Sequence, residues 1–305
     1  EADRLRKYPD PTASILVKEL ASYYGLNEDQ VFVGVGSDDV LAMSFLTFFN
    51  SDKPVLFPDV TYSFYKVWAD LFKVPFETPV LKEDFTIDVK DYEKENGGVI
   101  FPNPNAPTGV YMPLDQVEEI LKANQDVVVI VDEAYVDFAG PSALELLDKY
   151  ENLLVVQTFS KSRSMAGMRI GFAMGHPDLI RALNDVKYSY NSYTMNLPSL
   201  LAGVEAVKDK EYFEKTIEKI VATREHAKKR LTELGFTFPN SQSNFIFASH
   251  KSVPAEKIFE ALKKEQIYVR YFKTPGLDNS LRISIGTDEE MDTLFRFLEA
   301  YLPNA

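Results

Sequence analysis

Six short apolar runs, at 31–35, 54–57, 99–101, 127–131, 153–156 and 170–173, alternate with stretches of helical character, and this alternation constrains the chain more than any other feature. Helical spacing shows at 12–24, where Gly25 supplies a stop, and again at 39–49, 63–72 and 114–123. A strand that is apolar at successive positions, rather than at every second one, is covered on both faces. Such strands separated by helices predict the α/β class, with a mostly parallel central sheet flanked by helices. From about Lys208 the pattern changes to a long charged helix at 212–234, followed by apolar runs at 244–247, 267–270 and 281–285. That mixture predicts a smaller α+β C-terminal domain, so the chain divides into a large domain at 1–208 and a small one at 209–305. No internal repeat or low-complexity tract interrupts either part.

Charge narrows the partners. With 33 Lys+Arg against 46 Asp+Glu the net charge is −13, a field that repels nucleic acid and anionic membrane surfaces alike. Small anionic substrates stay possible if arginines and backbone dipoles capture them locally. The absence of cysteine removes disulfides and thiolate chemistry and is compatible with the cytoplasm. The three histidines, His176, His226 and His250, lack the spacing of a metal site, so no metal is expected. No apolar run is long enough to span a bilayer, and the charged start of the chain does not read as a signal peptide.

Ligands of open α/β sheets bind beyond the carboxyl ends of the strands, which turns attention to the residues that follow each apolar run. Asp132 ends one of them. A carboxylate there suits a helix cap as well as it suits a buried cation, so alone it decides nothing. Ser160, Lys161 and Arg169 offer a hydroxyl, an amine and a guanidinium, a set that can bind a phosphate while leaving the amine free for imine chemistry. Gly36-Ser37-Asp38 opens the helix at 39–49 and presents free backbone N–H groups to the same anion. Asp38 and Asp39 are expected to point away from that anion as helix caps. Arg163, close to Lys161, reads as a solvated side chain.

These pieces resemble the fold type I pyridoxal-phosphate aminotransferases and, within them, the histidinol-phosphate aminotransferase group. The resemblance runs over nearly the whole chain and rests on nine segments in matching order: Lys-Tyr-Pro-Asp-Pro at 7–11, Gly-Ser-Asp-Asp at 36–39, Thr-Tyr at 61–62, Pro-Asn-Pro-Asn-Ala-Pro-Thr-Gly at 102–109, Val-Asp-Glu-Ala-Tyr at 131–135, Thr-Phe-Ser-Lys at 158–161, Ala-Gly-Met-Arg-Ile-Gly-Phe at 166–172, Tyr-Val-Arg-Tyr-Phe at 268–272 and Ser-Leu-Arg-Ile-Ser-Ile-Gly-Thr at 280–287.

The resemblance implies pyridoxal 5′-phosphate as cofactor and assigns roles. Lys161 resembles the Schiff-base lysine and Asp132 the carboxylate that keeps the pyridine nitrogen protonated. Asn105 and Tyr135 resemble the donors to the ring's phenolic oxygen, and Tyr62 the aromatic plate stacked on the ring. Ser37, Asp38 through its backbone, Thr158, Ser160 and Arg169 resemble the phosphate cup. Tyr8 resembles the tyrosine that reaches the cofactor of a neighbouring subunit, which implies a homodimer with shared active sites. Arg282 resembles the arginine that grips the substrate's α-carboxylate, Arg270 an additional anion contact, and Asn105 is carried over as a substrate contact as well.

The implied reaction is transamination between L-histidinol phosphate and 2-oxoglutarate, both small molecules, in histidine biosynthesis. An aromatic amino acid aminotransferase, a threonine-phosphate decarboxylase-like lyase and a noncatalytic binding module are the alternatives. Members of the group usually begin with an N-terminal arm that closes over the substrate, and residues 1–10 are expected to be its remnant.

Overall fold

The structure, a computed structural model, describes residues 2–305. After α1 (Ser14–Tyr24) come β1 (Val31–Gly34), α2 (Ser37–Phe48), β2 (Val55–Leu56), α3 (Phe64–Phe72), β3 (Phe76–Glu77), β4 (Gly98–Pro102), α4 (Leu114–Ala123), β5 (Val129–Asp132), β6 (Leu153–Thr158) and β7 (Gly171–Gly175). Helices α5 (Pro177–Tyr190), α6 (Leu197–Lys208) and α7 (Lys210–Glu233) lead to β8 (Phe236–Thr237), β9 (Phe245–His250), α8 (Ala255–Lys264), β10 (Arg270–Tyr271), β11 (Leu281–Ser284) and α9 (Asp288–Tyr301).

Seven strands form one sheet in the order β1-β7-β6-β5-β4-β2-β3. From β6 to β3 the neighbours are parallel, while β7 runs antiparallel to both β6 and β1. The mostly parallel sheet expected from the apolar runs is therefore present. Its strands separate their side chains by the two-residue period of extended backbone. Val99, Phe101, Val129, Val131, Leu153 and Val155 pack with α1 and α4 on one face. Ile100, Ile130, Leu154 and Val156 pack with α2, α3 and α5 on the other. Both faces are covered, which is why these strands carry no polar alternation.

Gly25 ends α1 in the left-handed region at φ 71°, its N–H donating to Ala21 O, as the sequence pattern predicts. The edge strand β3 has no apolar run of its own and was not anticipated. Its backbone pairs with β2 through only two residues, too short to leave a pattern. The run at 267–270 contributes to β10 only through Arg270.

The second sheet, ordered β10-β11-β9-β8, is antiparallel throughout. Ala227 and Leu231 of α7, Ile258 and Leu262 of α8, and Leu294 and Leu298 of α9 pack on it. Among the described residues no helix is long and apolar enough to cross a membrane.

Candidate active site

A cavity opens at the carboxyl ends of β4, β5 and β6, where the parallel strands deliver their last residues side by side. Asp132 closes β5 and is 4% exposed. Its Oδ2 accepts a 2.7 Å hydrogen bond from the Tyr65 hydroxyl, and its Oδ1 accepts one of 3.2 Å from the Ala134 N–H. Burial is the main influence on this carboxyl and pushes its pKa up to about 6, against the pull of those two donors. Asp38 adds to the rise and Lys161 opposes it.

Lys161 lies in the turn after β6 and lines the same cavity. Its Nζ sits 5.4 Å from the centre of the Tyr135 ring. Tyr135 in turn meets Phe245, from the small sheet, edge-on at 5.1 Å. The Tyr62 ring forms another wall, with its hydroxyl donating to Asp38 Oδ1 at 2.8 Å. Burial, reinforced by that carboxylate, holds the Tyr62 phenol well above its usual pKa.

Ser37, Ser160 and Arg169 gather at the opposite end. Gly36, at φ 96°, precedes the first turn of α2, whose N–H groups have no partner within the helix. A Cβ there would stand 2.5 Å from Arg169 Nη2, so the guanidinium reaches this turn only because residue 36 is glycine. Gly171 is needed as well, since a Cβ on it would come within 2.2 Å of the Gly36 carbonyl carbon. Arg169 donates to Ala166 O at 3.3 Å and to Val35 O at 3.5 Å, long bonds that leave most of its donor capacity for an anion.

Eight of the expected residues thus line one cavity: Asp132, Lys161, Tyr135, Tyr62, Ser37, Asp38, Ser160 and Arg169. Thr158 stands just behind it, its hydroxyl accepting from the Ser160 N–H at 3.2 Å and lying 3.1 Å from Ile170 O, where it braces the turn. Asn105 is held by the loops around it. Its Nδ2 donates to Val60 O at 2.9 Å and to Thr108 Oγ1 at 3.0 Å, and Thr61 donates to its Oδ1 at 3.2 Å. With its amide engaged by these loops, Ala106 faces the cavity instead.

The two aspartates of α2 also behave differently from one another. Asp39 points away and accepts from the Val35 N–H at 2.9 Å, as expected. Asp38 does not: it lines the cavity, because the Tyr62 hydroxyl offers its carboxylate a partner there. Arg163 is likewise not a free surface side chain but half-buried. Its guanidinium stacks 4.1 Å from the Phe213 ring and 5.2 Å from those of Tyr23 and Phe159, and Nη1 donates to Ala206 O at 2.6 Å.

The remaining candidates approach from elsewhere. Arg282 and Arg270 are paired across β11 and β10. Arg282 lies 5.1 Å over the Phe245 ring, the ring that touches Tyr135, and its buried Nε has no hydrogen-bond partner among the described residues. Arg270 is exposed and stacks on Phe272 at 5.6 Å. Tyr8 is 83% exposed and stacks on Tyr193 at 4.8 Å, outside the cavity.

Two buried residues escaped the sequence reading. Tyr65 was signalled only by its position three residues after Tyr62, which places it in the first turn of α3 with Tyr62 just before that helix. Glu133, next to Asp132, accepts from Ser142 Oγ at 2.5 Å, the Ala143 N–H at 2.6 Å and Gln157 Nε2 at 2.8 Å. Burial raises its carboxyl to about 7.

The family model for "Aminotransferase class I and II" matches residues 1–298. The chain belongs to that family. Among relatives of this aminotransferase, the histidinol-phosphate aminotransferase of Brachyspira hyodysenteriae is 51% identical over 99% of this chain and 86% of its own. That of Clostridium acetobutylicum is 54% identical over 95% of this chain and 83% of its own. Among solved structures, a histidinol-phosphate aminotransferase from Clostridium acetobutylicum superposes with a TM-score of 0.92 at 24% identity, covering 100% of this chain and 93% of that one. One from Sinorhizobium meliloti, in complex with pyridoxal 5′-phosphate, superposes at 0.88 with 25% identity, covering 99% of this chain and 83% of that one.

Aminotransferases of this family depend on pyridoxal 5′-phosphate, and the cavity has the donor set to receive it. Free N–H groups, two hydroxyls and a guanidinium at one end match a phosphate. A buried carboxylate has the charge to stabilise a protonated ring nitrogen, and the Lys161 amine and an aromatic wall line the same cavity.

Proposed function

We propose that this aminotransferase moves the amino group of L-histidinol phosphate to 2-oxoglutarate, giving imidazole acetol phosphate and glutamate. The observation that carries this reading is about 50% identity, along nearly the whole chain, to histidinol-phosphate aminotransferases of several bacteria. The arginine pair supports it, because the two substrates present different anions in turn. Arg282, with a donor still unpartnered, takes the carboxylate of one and the phosphate of the other, and Arg270 adds a second, exposed cation.

Bound pyridoxal phosphate supplies an aldehyde that takes up amines and a ring that withdraws electrons from the substrate's Cα. The chain's own groups do the rest. Asp132 would hold a proton on the ring nitrogen, and Tyr135 would donate to the ring's phenolic oxygen. Tyr62 packs on the ring face and is itself held by Asp38. Ser37, Asp38 through its N–H, Ser160 and Arg169 anchor the phosphate, with Thr158 bracing Ser160. Lys161 would hold the cofactor's aldehyde carbon and would move the proton at the substrate's Cα as general base and acid. Asn105 contributes by fixing the loop that presents Ala106.

The same reading makes the enzyme a cytoplasmic homodimer, with Tyr8 reaching the partner's cofactor, a role its exposure permits. It divides the chain into domains at 1–208 and 209–305, the second carrying both arginines.

A substrate panel with spectral monitoring of the cofactor tests the proposal. Turnover of histidinol phosphate that requires 2-oxoglutarate is expected. Turnover of phenylalanine or tyrosine without histidinol phosphate would make it an aromatic aminotransferase, and carbon dioxide release without an oxo acid would make it a lyase.

A further inference from the structure

We infer that Tyr65 is a positioning residue for this reaction: its buried hydroxyl holds Asp132 ionised and aimed at the cofactor's ring nitrogen. The inference rests on the cofactor site proposed above. Tyr65 is fully buried, and its 2.7 Å bond to Oδ2 is the shorter of the two that Asp132 accepts from the protein. The ring cannot swing away, since Phe45, Phe57, Tyr62 and Trp68 surround it with centroids 5.7 to 6.3 Å distant. Tyr62 meets it nearly perpendicular at 81°, so the segment that enters α3 delivers the cavity's aromatic wall and the support of its carboxylate as one unit.

The physical need is plain. A carboxylate at this depth resists ionisation, and a neutral one cannot hold a proton on the ring. The groups facing Asp132 pull in both directions. Asp38 of α2 opposes ionisation, and Lys161, from the turn after β6, favours it. The Ala134 N–H and the Tyr65 hydroxyl are the hydrogen-bond donors that favour it. Tyr65 cannot compete for the charge, because burial and Asp132 itself hold its phenol far above the ordinary value.

Trp68, the sole tryptophan, lies 6.2 Å from both Tyr62 and Tyr65, so its fluorescence should report cofactor binding without any assay of turnover. Pyridoxal phosphate is titrated into wild type and Tyr65→Phe from pH 5.5 to 9. At pH 5.5 the variant should bind about eightfold more weakly and at pH 6.5 about threefold, with the gap closing towards pH 9 as Asp132 ionises in both proteins, as expected for an acid limb moved up by about one pH unit. Tyr92→Phe is the control: it removes a buried hydroxyl with no partner among the described residues and should leave the profile in place.

Superimposable profiles for wild type and Tyr65→Phe would overturn the inference. So would a pH-independent loss that persists undiminished in an Asp132→Asn background, since that is a packing effect. Should Tyr65→Phe fail to fold, 3-fluorotyrosine at position 65 decides: the more acidic phenol is a stronger donor and should move the acid limb down, and no movement refutes the inference. A wild type that never binds pyridoxal phosphate would refute the cofactor site as well, whereas normal binding with an unshifted variant refutes the role of Tyr65 alone.

Discussion

The carboxyl edge of the large sheet and the β10–β11 corner of the small one both supply charge to this aminotransferase, but they hold it differently. At the large sheet the charges are fixed by the protein itself. Asp132 accepts two hydrogen bonds, Glu133 three, and Tyr62 is tied to Asp38. At the small sheet Arg282 rests on an aromatic face with Nε unpartnered, and Arg270 reaches into solvent. The large sheet is preorganised, while the corner keeps donors open, as the proposed exchange of anionic substrates would need. Preorganisation at one side and vacancy at the other is what an alternating-substrate enzyme requires.

That contrast can be tested from its strongest element downwards. Lys161→Ala should cost on the order of 10³-fold or more in turnover and abolish the cofactor's lysine-linked absorbance; a retained spectrum would break the preorganised side outright. Arg282→Ala should lower kcat/KM for the oxo acid about 10²-fold, consistent with about 2–5 kcal/mol for truncating one member of a buried charge pair. Cofactor affinity should stay unchanged, and steady-state kinetics with a cofactor titration separates the two.

Asp132→Asn carries a sign that only preorganisation predicts. The Asp132 pKa is raised in the folded protein, from 3.8 to about 6, so the proton favours the folded state. Stability from this group is full below the unfolded value and is lost as pH rises from about 4 through 6. At about 1.4 kcal/mol per pH unit, ionisation at pH 8 costs the cofactor-free protein up to about 3 kcal/mol. The cofactor-free Asp132→Asn protein should therefore resist urea better than wild type at pH 8 and no better at pH 4, although its cofactor binding is weakened. A destabilised variant at pH 8 would count against the buried carboxylate as a functional cost. The smallest effect belongs to Arg270→Ala, an exposed side chain whose loss should change kcat/KM less than about tenfold, with a weaker effect at high salt.

Much of the site was legible because strand ends are legible. Asp132, Ser160 and Lys161 directly follow or end apolar runs, and a parallel sheet brings such ends together whatever the rest of the chain does. The surroundings of Asn105 were not legible, because its amide is held by Val60 and Thr61, 45 and 44 residues away. Arg163 was misjudged for a similar reason: the rings that hold it come from 23, 159 and 213. Tyr65 looked like one more aromatic in an aromatic-rich chain, and only its hydroxyl's partner distinguishes it.

By itself the sequence determined the class of sheet, the edge at which chemistry gathers and the glycine-led turn that opens α2. Those follow from periodicity and from local backbone geometry, which act over a few residues. Tertiary structure alone decided which carboxylate each hydroxyl serves, that Asp38 faces inward while Asp39 faces out, and that Arg282 reaches the site through Phe245 and Tyr135. Such choices depend on distances between side chains remote in sequence, which hydrogen-bond satisfaction and packing settle only once the layers have come together.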